Sequence, residues 1–277
     1  MRMNATLVIG GTGTTGRRVA AGLREQGVAV RVGGRRAPVP FEWTDPATWD
    51  RALDGVGAVY VVPLDGATLT GPLVERAVRH GVERVVLLSA RGIDAPEFAA
   101  ADAPLARTHL FGERAVRESG VTWTILRPTW FAQNFSEGFF RDAVRAAEIR
   151  LPAGEGAAAF VDAGDIAAVA VAALTGDGHG GQVYELSGPR PLTMAEAAAE
   201  IGAATGRDVR YVPVEPDAFV AELVTAGWPP ADAADHAAAV AALRDGLDAP
   251  VSDGVRRALG RQPRSFAEFV AAADWPG

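Results

Sequence analysis

The chain has 277 residues, a formal net charge of −7, 48% hydrophobic residues and 22% charged residues. These proportions are typical of a globular protein and exclude the disordered and collagen-like classes. The sequence contains no cysteine and no lysine, so all 27 basic residues are arginine. Disulfides, thiolate metal sites and any Tyr-x-x-x-Lys catalytic pair are therefore excluded. The acidic balance argues against nucleic acid as a partner.

Hydropathy gives no sign of a membrane segment. The longest apolar run, 166–174, is far shorter than the roughly 18 residues that cross a bilayer. The N-terminal residues lead directly into a strand-like run at 6–9, without the apolar core of a signal peptide. We therefore expect a cytoplasmic protein without a membrane partner.

Short apolar runs rich in β-branched residues alternate with helical patterns in the first half of the chain. Such alternation predicts a parallel sheet with helices on both faces, so the expected fold class is α/β, a Rossmann-like doubly wound sheet. The predicted strands lie at 7–9, 28–32, 58–62, 85–88, 122–126 and 183–186. The predicted helices lie at 15–26, 47–53, 72–80 and 106–119.

The last third of the chain is mostly helical in pattern. Thr193-x-x-Glu196 is a capping box that opens a predicted helix ending at Gly206. Further predictions are helices at 232–247 and 265–273 and an extended segment at 211–214.

No repeat or low-complexity linker divides the chain. We expect a dinucleotide-binding core at 1–150, to which a strand and a helix around 160–190 return. Residues 190–277 are expected to form a smaller, mostly helical C-terminal lobe over a substrate cleft.

A glycine-rich sequence, Gly10-Gly11-Thr12-Gly13-Thr14-Thr15-Gly16, follows the first predicted strand and opens the first predicted helix. Glycine allows the sharp turn that lets a pyrophosphate approach the backbone N–H groups at a helix N-terminus. A glycine-rich turn without a ligand is the alternative, but the strand–turn–helix setting favours a dinucleotide site.

The end of the second predicted strand bears on the choice of nucleotide. A site for NAD(H) usually has an acidic residue there, which bonds the ribose 2′-hydroxyl. This strand instead runs into Arg35 and Arg36, and two guanidinium groups suit a 2′-phosphate. The alternative is a solvated loop pair. Arg17 and Arg18 could add to the phosphate site or could be solvated helix residues. The predicted cofactor is NADP(H).

Further motifs follow the glycine loop in a fixed order, and together they resemble the NmrA-like group of atypical short-chain dehydrogenases/reductases. The resemblance runs from about residue 6 to about residue 272. The motifs are Asp45-Pro46, Val85-Val-Leu-Leu-Ser89, Thr124-Ile-Leu-Arg127-Pro128, Phe131-Ala-Gln-Asn134-Phe135, Phe160-Val-Asp162-Ala-Gly-Asp165-Ile166-Ala167 and Tyr184-Glu-Leu-Ser-Gly188-Pro189.

The resemblance implies a Rossmann-like core that binds NADP(H), with a small lobe enclosing a substrate cleft. It does not imply one function. Relatives in this group include NADPH-dependent quinone, enone-type and aromatic-ether reductases, enzymes of secondary metabolism, and regulators that bind the nucleotide without turning it over.

The resemblance also implies roles for individual residues. The pyrophosphate would be held by the glycine loop, from Gly10 and Thr12 through Gly13, Thr14, Thr15 and Gly16, and the 2′-phosphate by Arg35 and Arg36. Other cofactor-binding positions are Asp45 on the adenine side, then Pro63 and Leu64, then Ser89 and Ala90, and finally Pro128. By the same resemblance, Arg91 at the end of the fifth strand would face the nicotinamide and bind substrate, and Pro128, Thr129 and Trp130 would close that side.

The catalytic tyrosine and lysine of ordinary short-chain dehydrogenases are missing. By position, His109 replaces the tyrosine and Glu113 replaces the lysine. Imidazole exchanges protons near neutral pH, and a carboxylate four residues on could fix its tautomer. His109 is therefore a candidate catalytic and substrate-binding residue, or a helix-face histidine bonded to Glu113. Ser89 could polarise a substrate oxygen, or merely cap a strand end.

Aromatic residues are concentrated after the sixth predicted strand. A pocket for a flat, apolar ligand is expected there, and its predicted members include Trp130, Phe131, Asn134, Phe135 and Phe160. The alternative is that Phe131, Phe135 and Phe139, at i, i+4 and i+8, form the buried stripe of a helix. Asn134 would bind substrate or satisfy a buried backbone group.

Two other patterns carry no chemistry. The four histidines have no metal-ligand spacing, so no metal site is expected. Asp165 precedes an alanine-rich segment and is expected to be a helix N-cap.

Three functions from different classes fit this sequence. The leading one is an NADPH-dependent reductase of a conjugated, quinone-like or aromatic small molecule, because such an acceptor stabilises its own anion and needs no strong protein acid. The second is a non-catalytic NADP(H)-sensing regulator. The third is a redox-neutral isomerase, dehydratase or cyclase that uses His109. The expected partner is a small, flat, apolar substrate, and the expected state is a monomer or homodimer.

Overall fold

The computed structural model describes residues 5–35, 37–95, 98 and 104–275, without the side chains of residues 104 and 105. The strands in chain order are β1 Ala5–Ile9, β2 Val30–Gly34, β3 Val39–Pro40, β4 Val56–Val61, β5 Arg84–Leu88, β6 Thr122–Pro128, β7 Glu148–Leu151, β8 Ala157–Ala158, β9 Gln182–Leu186, β10 Leu192–Thr193 and β11 Arg210–Pro213.

The α-helices in chain order are α1 Thr14–Glu25, α2 Trp49–Leu53, α3 Thr70–Arg79, α4 Pro104–Glu118, α5 Arg141–Arg145, α6 Ala163–Thr175, α7 Met194–Thr205, α8 Pro216–Thr225, α9 Pro230–Arg244, α10 Gly254–Leu259 and α11 Phe266–Ala272. Two 3₁₀ turns lie at Pro46–Thr48 and Ala132–Asn134. None of the helices among the described residues has the length and hydropathy that crossing a bilayer requires.

Seven strands form one parallel sheet in the order β3-β2-β1-β4-β5-β6-β9. The strands are apolar because helices cover both faces, as in β1, where Leu7, Val8 and Ile9 are at most 1% exposed. Leu7 and Ile9 join a hydrophobic cluster with α2 and α3, and Val8 joins a cluster with α1 and α6. The predicted Rossmann-like α/β fold is confirmed.

A third hydrophobic cluster forms the lobe. It combines residues from 132–160 with residues from 192–270, and two small sheets, β7 with β11 and β8 with β10, join these two parts. The segment 132–160, much of which the sequence assigned to the core, thus packs in the lobe, because β7 pairs with β11 instead of with the main sheet.

One local prediction is wrong. Helix α6 has Asp162 as its N-cap, with a carboxylate that accepts from the backbone N–H of Gly164, so Asp165 is not the cap. Asp165 is fully buried and instead accepts hydrogen bonds from Arg261 Nη2 at 2.6 Å and from the backbone N–H of Arg264 at 2.7 Å. It thereby fastens the segment before α11 to the start of α6.

The alternative of a helical stripe through Phe131, Phe135 and Phe139 does not occur in the structure. Within 131–140, all of which the structure describes, the chain forms a 3₁₀ turn and then a tight reversal. A β-carbon at Gly138 would lie 2.8 Å from the Cα of Asn134, so the reversal depends on glycine. The capping box at Thr193 and the helix end at Gly206, which has φ of +68°, are as predicted.

Candidate functional site

The carboxyl ends of four neighbouring strands bring most of the predicted site residues to one edge of the sheet. The glycine loop follows β1, Pro63 and Leu64 follow β4, Ser89 to Arg91 follow β5, and Thr129 and Trp130 follow β6. Ligands of open parallel sheets bind in the crevice outside this edge. The sheet order therefore places these segments side by side around one crevice.

The glycine loop has the geometry that a dinucleotide requires. Gly10 has φ of +72°, and the backbone N–H of Gly13 donates to the carbonyl of Gly10 at 2.9 Å. A β-carbon at position 16 would lie 2.2 Å from that same carbonyl oxygen, so only glycine fits. No side chain caps α1 at Gly13, which leaves the first N–H groups of the helix available to an anion. These residues fit an NAD(P)H pyrophosphate.

Arg35 and Asp45, which are predicted to bind the adenosine side, are exposed. Strand β2 ends at Gly34, and the side chain of Arg35, which directly follows, is 83% exposed, with Nε 4.0 Å from Oε2 of Glu42. Arg36 lies outside the described residues. Asp45 is the N-cap of a 3₁₀ turn, where Oδ1 accepts from the backbone N–H of Ala47 at 3.1 Å. Arg35 is therefore available to a phosphate.

Arg17 and Arg18 have partners of their own. Both guanidinium groups pair with the carboxylate of Glu137, the second through Nη1 and Oε1 at 2.8 Å. Glu137 belongs to the chain reversal after β6, so this pairing joins the start of α1 to the lobe side of the crevice. It satisfies both arginines without any phosphate.

The remaining predicted cofactor positions border the crevice. Pro63 is buried, Leu64 is 37% exposed, and Ala90 is half-buried. The backbone N–H of Ser89 donates to the carbonyl of Leu126, and that of Arg91 donates to the carbonyl of Pro128. The segment after β5 is thereby held against the end of β6, where the nicotinamide is expected.

Ser89 and Glu113 form the centre of a buried ionic network. Ser89 Oγ donates to Oε1 of Glu113 at 2.7 Å, and Glu113 is fully buried. Arg127 forms a bidentate pair with Glu113, at 2.8 Å for each of its two bonds. Arg117 Nη2 adds a third cationic contact at 2.9 Å. Glu113 is therefore an ion-paired carboxylate that holds the hydroxyl of Ser89.

Sequence reasoning missed this network. It extends through Arg127 to Asp94 Oδ2 at 2.9 Å and to Glu185 Oε1 at 3.4 Å. The register of the sheet places Arg127 directly beside Glu185, and α4 then supplies Glu113 from above. The spacing of charged residues along the chain contains no signal for this arrangement.

His109 lies on α4 one turn before Glu113 and is 7% exposed. Its Nδ1 is buried and has no hydrogen-bond partner among the residues that the structure describes. Burial lowers the pKa of His109, while the charges of Asp65 and Glu113 oppose this effect. The expected orientation of His109 by Glu113 is absent from the hydrogen bonds of the described residues, because the oxygens of Glu113 are bonded to Ser89, Arg117 and Arg127.

The aromatic residues divide into two groups. Phe135 is fully buried and Phe160 is 2% exposed, and both rings pack against Phe266 in the core of the lobe. Their prediction as substrate-binding residues is corrected, because rings enclosed in a core offer no surface to a ligand. Trp130 and Phe131 are half-buried and stay candidates for the crevice.

Two polar residues near these aromatics were not predicted. Gln133 Oε1 accepts a hydrogen bond from the backbone N–H of Ala163 at 2.7 Å. Gln133 thus satisfies a buried backbone group, which was one of the two roles expected of Asn134. Asn134 is half-buried. Asp248, 5% exposed, accepts a hydrogen bond from Trp130 Nε1 at 2.9 Å. It lies 118 residues further along the chain, so no local pattern could indicate the contact.

The three tyrosines occupy β4, β9 and β11 rather than α4. Tyr60 donates to Thr15, Tyr184 is bonded to His179, and Tyr211 donates to the carbonyl of Leu151. Within the described ranges no group of acidic residues and histidines could hold a metal ion.

Comparison with known proteins agrees with this geometry. A family described as NAD(P)H-binding matches residues 10–177, which is more than half of the chain. An NAD(P)H azoreductase of Xenophilus azovorans is 37% identical over 286 residues, covering 96% of each chain. A (4-alkanoyl-5-oxo-2,5-dihydrofuran-3-yl)methyl phosphate reductase of Streptomyces griseus is 36% identical over 281 residues, again covering 96% of each.

The fold is shared with a solved structure of an NmrA mutant, which superimposes with a TM-score of 0.76 at 16% identity over 98% of this chain and 95% of that one. This likeness confirms the NmrA-like fold that the resemblance implies. The predicted nicotinamide cofactor and the oxidoreductase activity are confirmed by the NAD(P)H-binding family match and by the two reductase relatives. The chain belongs to the NAD(P)H-binding family and is an oxidoreductase of that family.

Proposed function

We propose that this protein is an NADPH-dependent reductase of small, flat, conjugated acceptors such as quinones. One observation carries the proposal: the residue at the position of the missing lysine, Glu113, is fully buried and ion-paired with Arg127, and it holds the hydroxyl of Ser89 as a donor. The azoreductase and furanone reductase relatives support a conjugated acceptor.

Ser89 can therefore offer a ligand in the crevice only the lone pairs of its hydroxyl oxygen. Its only hydrogen is directed to a charged acceptor, and such charge-assisted bonds are about twice as strong as neutral ones. A side chain in this state accepts a hydrogen bond from a ligand, such as an amide or hydroxyl donor, but does not donate one to a developing oxyanion. We propose that Ser89 orients a ligand and does not act as an acid.

An acceptor that stabilises its own anion fits a site of this kind. When bound, NADPH supplies a hydride. The glycine loop and the residues after β5 and β6 hold the reactants in position, which can contribute most of the rate when no strong acid is needed. Arg35 and Arg36 are proposed to select the 2′-phosphate.

We propose that His109 supplies the proton where a neutral acceptor requires one, with water as the alternative donor. Burial lowers the pKa of His109, so the imidazolium forms only below its usual value of 6.5. The rate with a neutral acceptor is therefore expected to rise as the pH falls through that range. In the His109→Phe variant this rise should disappear.

The decisive experiment measures NADPH binding and NADPH oxidation in the same preparation. Binding is followed by nicotinamide fluorescence, and oxidation is followed with a quinone, an azo dye, a conjugated enone and a saturated ketone. We expect reduction of the conjugated acceptors and none of the saturated ketone. Tight binding of NADPH without oxidation by any acceptor would refute the reductase and favour a nucleotide-sensing regulator.

A further inference from the structure

Glu137 lies at the tip of the chain reversal that follows Trp130, and it connects two sides of the crevice. Arg17 and Arg18, on α1, pair with its two carboxylate oxygens, and Arg18 Nη1 contacts Oε1 at 2.8 Å. The same Nη1 donates to the carbonyl of Thr14, the first residue of α1, at 2.8 Å. Glu137 therefore holds two guanidinium groups beside the turn of α1 that fits the coenzyme pyrophosphate.

Arg17 and Arg18 are neighbouring like charges, and Glu137 supplies the anion that they share. Burial lowers the pKa of Arg18, and the charge of Arg17 lowers it further, while the charge of Asp162 opposes both effects. One carboxylate bound to two guanidinium groups leaves one net positive charge in this group. Replacing the carboxylate by an amide would leave two positive charges next to the start of α1.

The reversal is closed by hydrogen bonds of its own backbone. The N–H groups of Glu137 and Gly138 both donate to the carbonyl of Gln133, at 2.9 Å and 3.1 Å. The N–H of Phe140 donates to the carbonyl of Asn134 at 2.8 Å. Because these bonds link the tip of the reversal to its end, a displacement of Glu137 is transmitted to Phe140.

The end of the reversal supports an aromatic wall that consists of Trp130 and Phe140. Phe140 is 1% exposed and stacks on Trp130, with 5.9 Å between the ring centroids and 17° between the planes. Trp130 follows β6 on the nicotinamide side of the crevice. The carboxylate of Glu137 thus acts on the position of Trp130 through the backbone of the reversal and the ring of Phe140.

The space beside the ion pair is not filled by packed apolar side chains. An open cavity of about 430 Å³ lies there, between α1, the reversal and the start of α6. Most of its lining residues are polar, and they include Arg17, Arg18, Gln133, Glu137, Asp162 and Arg264. Arg264 pairs with Asp162 at 3.4 Å and so has a carboxylate of its own. The ion pair therefore sets the distance between α1 and the reversal at this point.

We propose that Glu137 is a positioning residue that pairs with Arg17 and Arg18 and thereby holds the aromatic wall in place for the acceptor. The two arginines are then not available to the coenzyme phosphates. This inference rests on the proposed reductase function, because it concerns the binding of the acceptor.

Loss of the carboxylate should act on the two ligands in opposite directions. The aromatic wall loses its support, so the acceptor binds more weakly. The positive charge beside the start of α1 rises by one unit, and two guanidinium groups become free for charge-assisted bonds to phosphate. NADPH should therefore bind more tightly, which mere destabilisation of the fold would not produce.

The test is the variant Glu137→Gln, in which the binding of coenzyme and of acceptor is measured separately by calorimetry. The acceptor is menadione, a neutral quinone, and it is titrated into the NADP⁺ complex, which has no hydride to transfer. We expect the Kd of menadione to rise about fivefold and the Kd of NADPH to fall about twofold to threefold. The gain for NADPH should disappear in about 1 M salt, where the screening length is only about 3 Å.

Glu222→Gln is the matched control, because Glu222 is 42% exposed and pairs with Arg150 at 2.7 Å within the lobe. It should change neither Kd. Weaker binding of both ligands by Glu137→Gln would give Glu137 a purely structural role and overturn the inference, as would an unchanged Kd of menadione. Menadione that binds the native protein but is never reduced would overturn the proposed reductase alone, and menadione that does not bind would overturn both.

Discussion

The hydroxyl of Tyr60 donates a hydrogen bond to Oγ1 of Thr15 at 3.0 Å, and both side chains are buried. Tyr60 lies on β4, and Thr15 lies in the first turn of α1, within the glycine motif. The bond therefore ties the uncapped N-terminus of the cofactor helix to the neighbouring strand. Because Tyr60 is the donor in this bond, the hydrogen of the Thr15 hydroxyl can be donated to another acceptor.

Replacing Tyr60 by Phe should weaken NADPH binding about fivefold to tenfold, because one buried hydrogen bond contributes about 1 kcal/mol. The Kd is measured by fluorescence titration. Tyr184→Phe is the control, since its hydroxyl is bonded to His179 at 2.9 Å on the far strand β9. Equal Kd values for Tyr60→Phe and the native protein would show that the bond does not position the loop.

Gly16→Ala should abolish measurable NADPH binding, with a loss of affinity well above about tenfold. The new methyl group would lie 2.2 Å from the carbonyl oxygen of Gly10, so the loop must open. Gly22→Ala is the control in the same helix, where the added carbon meets one methyl group of Val171 at 3.1 Å and no backbone atom. Retained affinity in Gly16→Ala would contradict the placement of the pyrophosphate.

Arg35→Ala should lower the affinity for NADPH about tenfold and leave the affinity for NADH unchanged, because only NADPH carries the 2′-phosphate. Calorimetry with NADPH and with NADH gives the ratio of the two affinities. Arg24→Ala, an exposed arginine at the end of α1, should not change it. An unchanged ratio in a variant with alanine at both Arg35 and Arg36 would remove these residues from the phosphate site.

Glu113→Gln should lower the free energy of unfolding by about 3–5 kcal/mol, because it leaves the buried guanidinium of Arg127 without its main counter-charge. Denaturant unfolding gives the value. Glu118→Gln, on the same helix but 71% exposed and 4.0 Å from Arg114, should cost less than about 0.5 kcal/mol. Similar losses in the two variants would mean that Glu113 is not a structural ion pair.

His236 should make the fold sensitive to acid. Its ring lies 3.8 Å from that of Phe139, centroid to centroid, and burial lowers its pKa below the usual 6.5. The folded state thus resists protonation, so the stability that His236 contributes is present above pH 6.5 and is lost as the pH falls through its lowered pKa.

The melting temperature should therefore fall less between pH 8 and pH 5 in His236→Phe than in the native protein. The absolute melting temperature at pH 8 serves as the control for repacking by the larger ring. Parallel pH curves for the two proteins would exclude His236 as a source of acid sensitivity.

Tertiary pairing explains where sequence reasoning failed. Asp162 precedes α6 and Asp165 lies in its first turn, and the sequence pattern allows either acid to be the N-cap. Only the tertiary contacts with Arg261 and Arg264 determine that Asp165 binds there instead. The phenylalanine spacing at 131, 135 and 139 fits a helix, but the chain there forms a 3₁₀ turn followed by a reversal at Gly138. Periodicity describes one face of one element and carries no information about what packs against it.

The sequence by itself determined six of the seven strands of the main sheet, the glycine loop and the capping box at Thr193, because these depend on backbone conformation and hydrogen bonds between residues a few positions apart. Only the tertiary structure decided the partners of Glu113, the enclosure of Phe135 and Phe160, and the bond from Trp130 to Asp248. Those contacts join residues far apart in the chain, and the packing of the lobe and the sheet determines which of many charged or aromatic side chains meet.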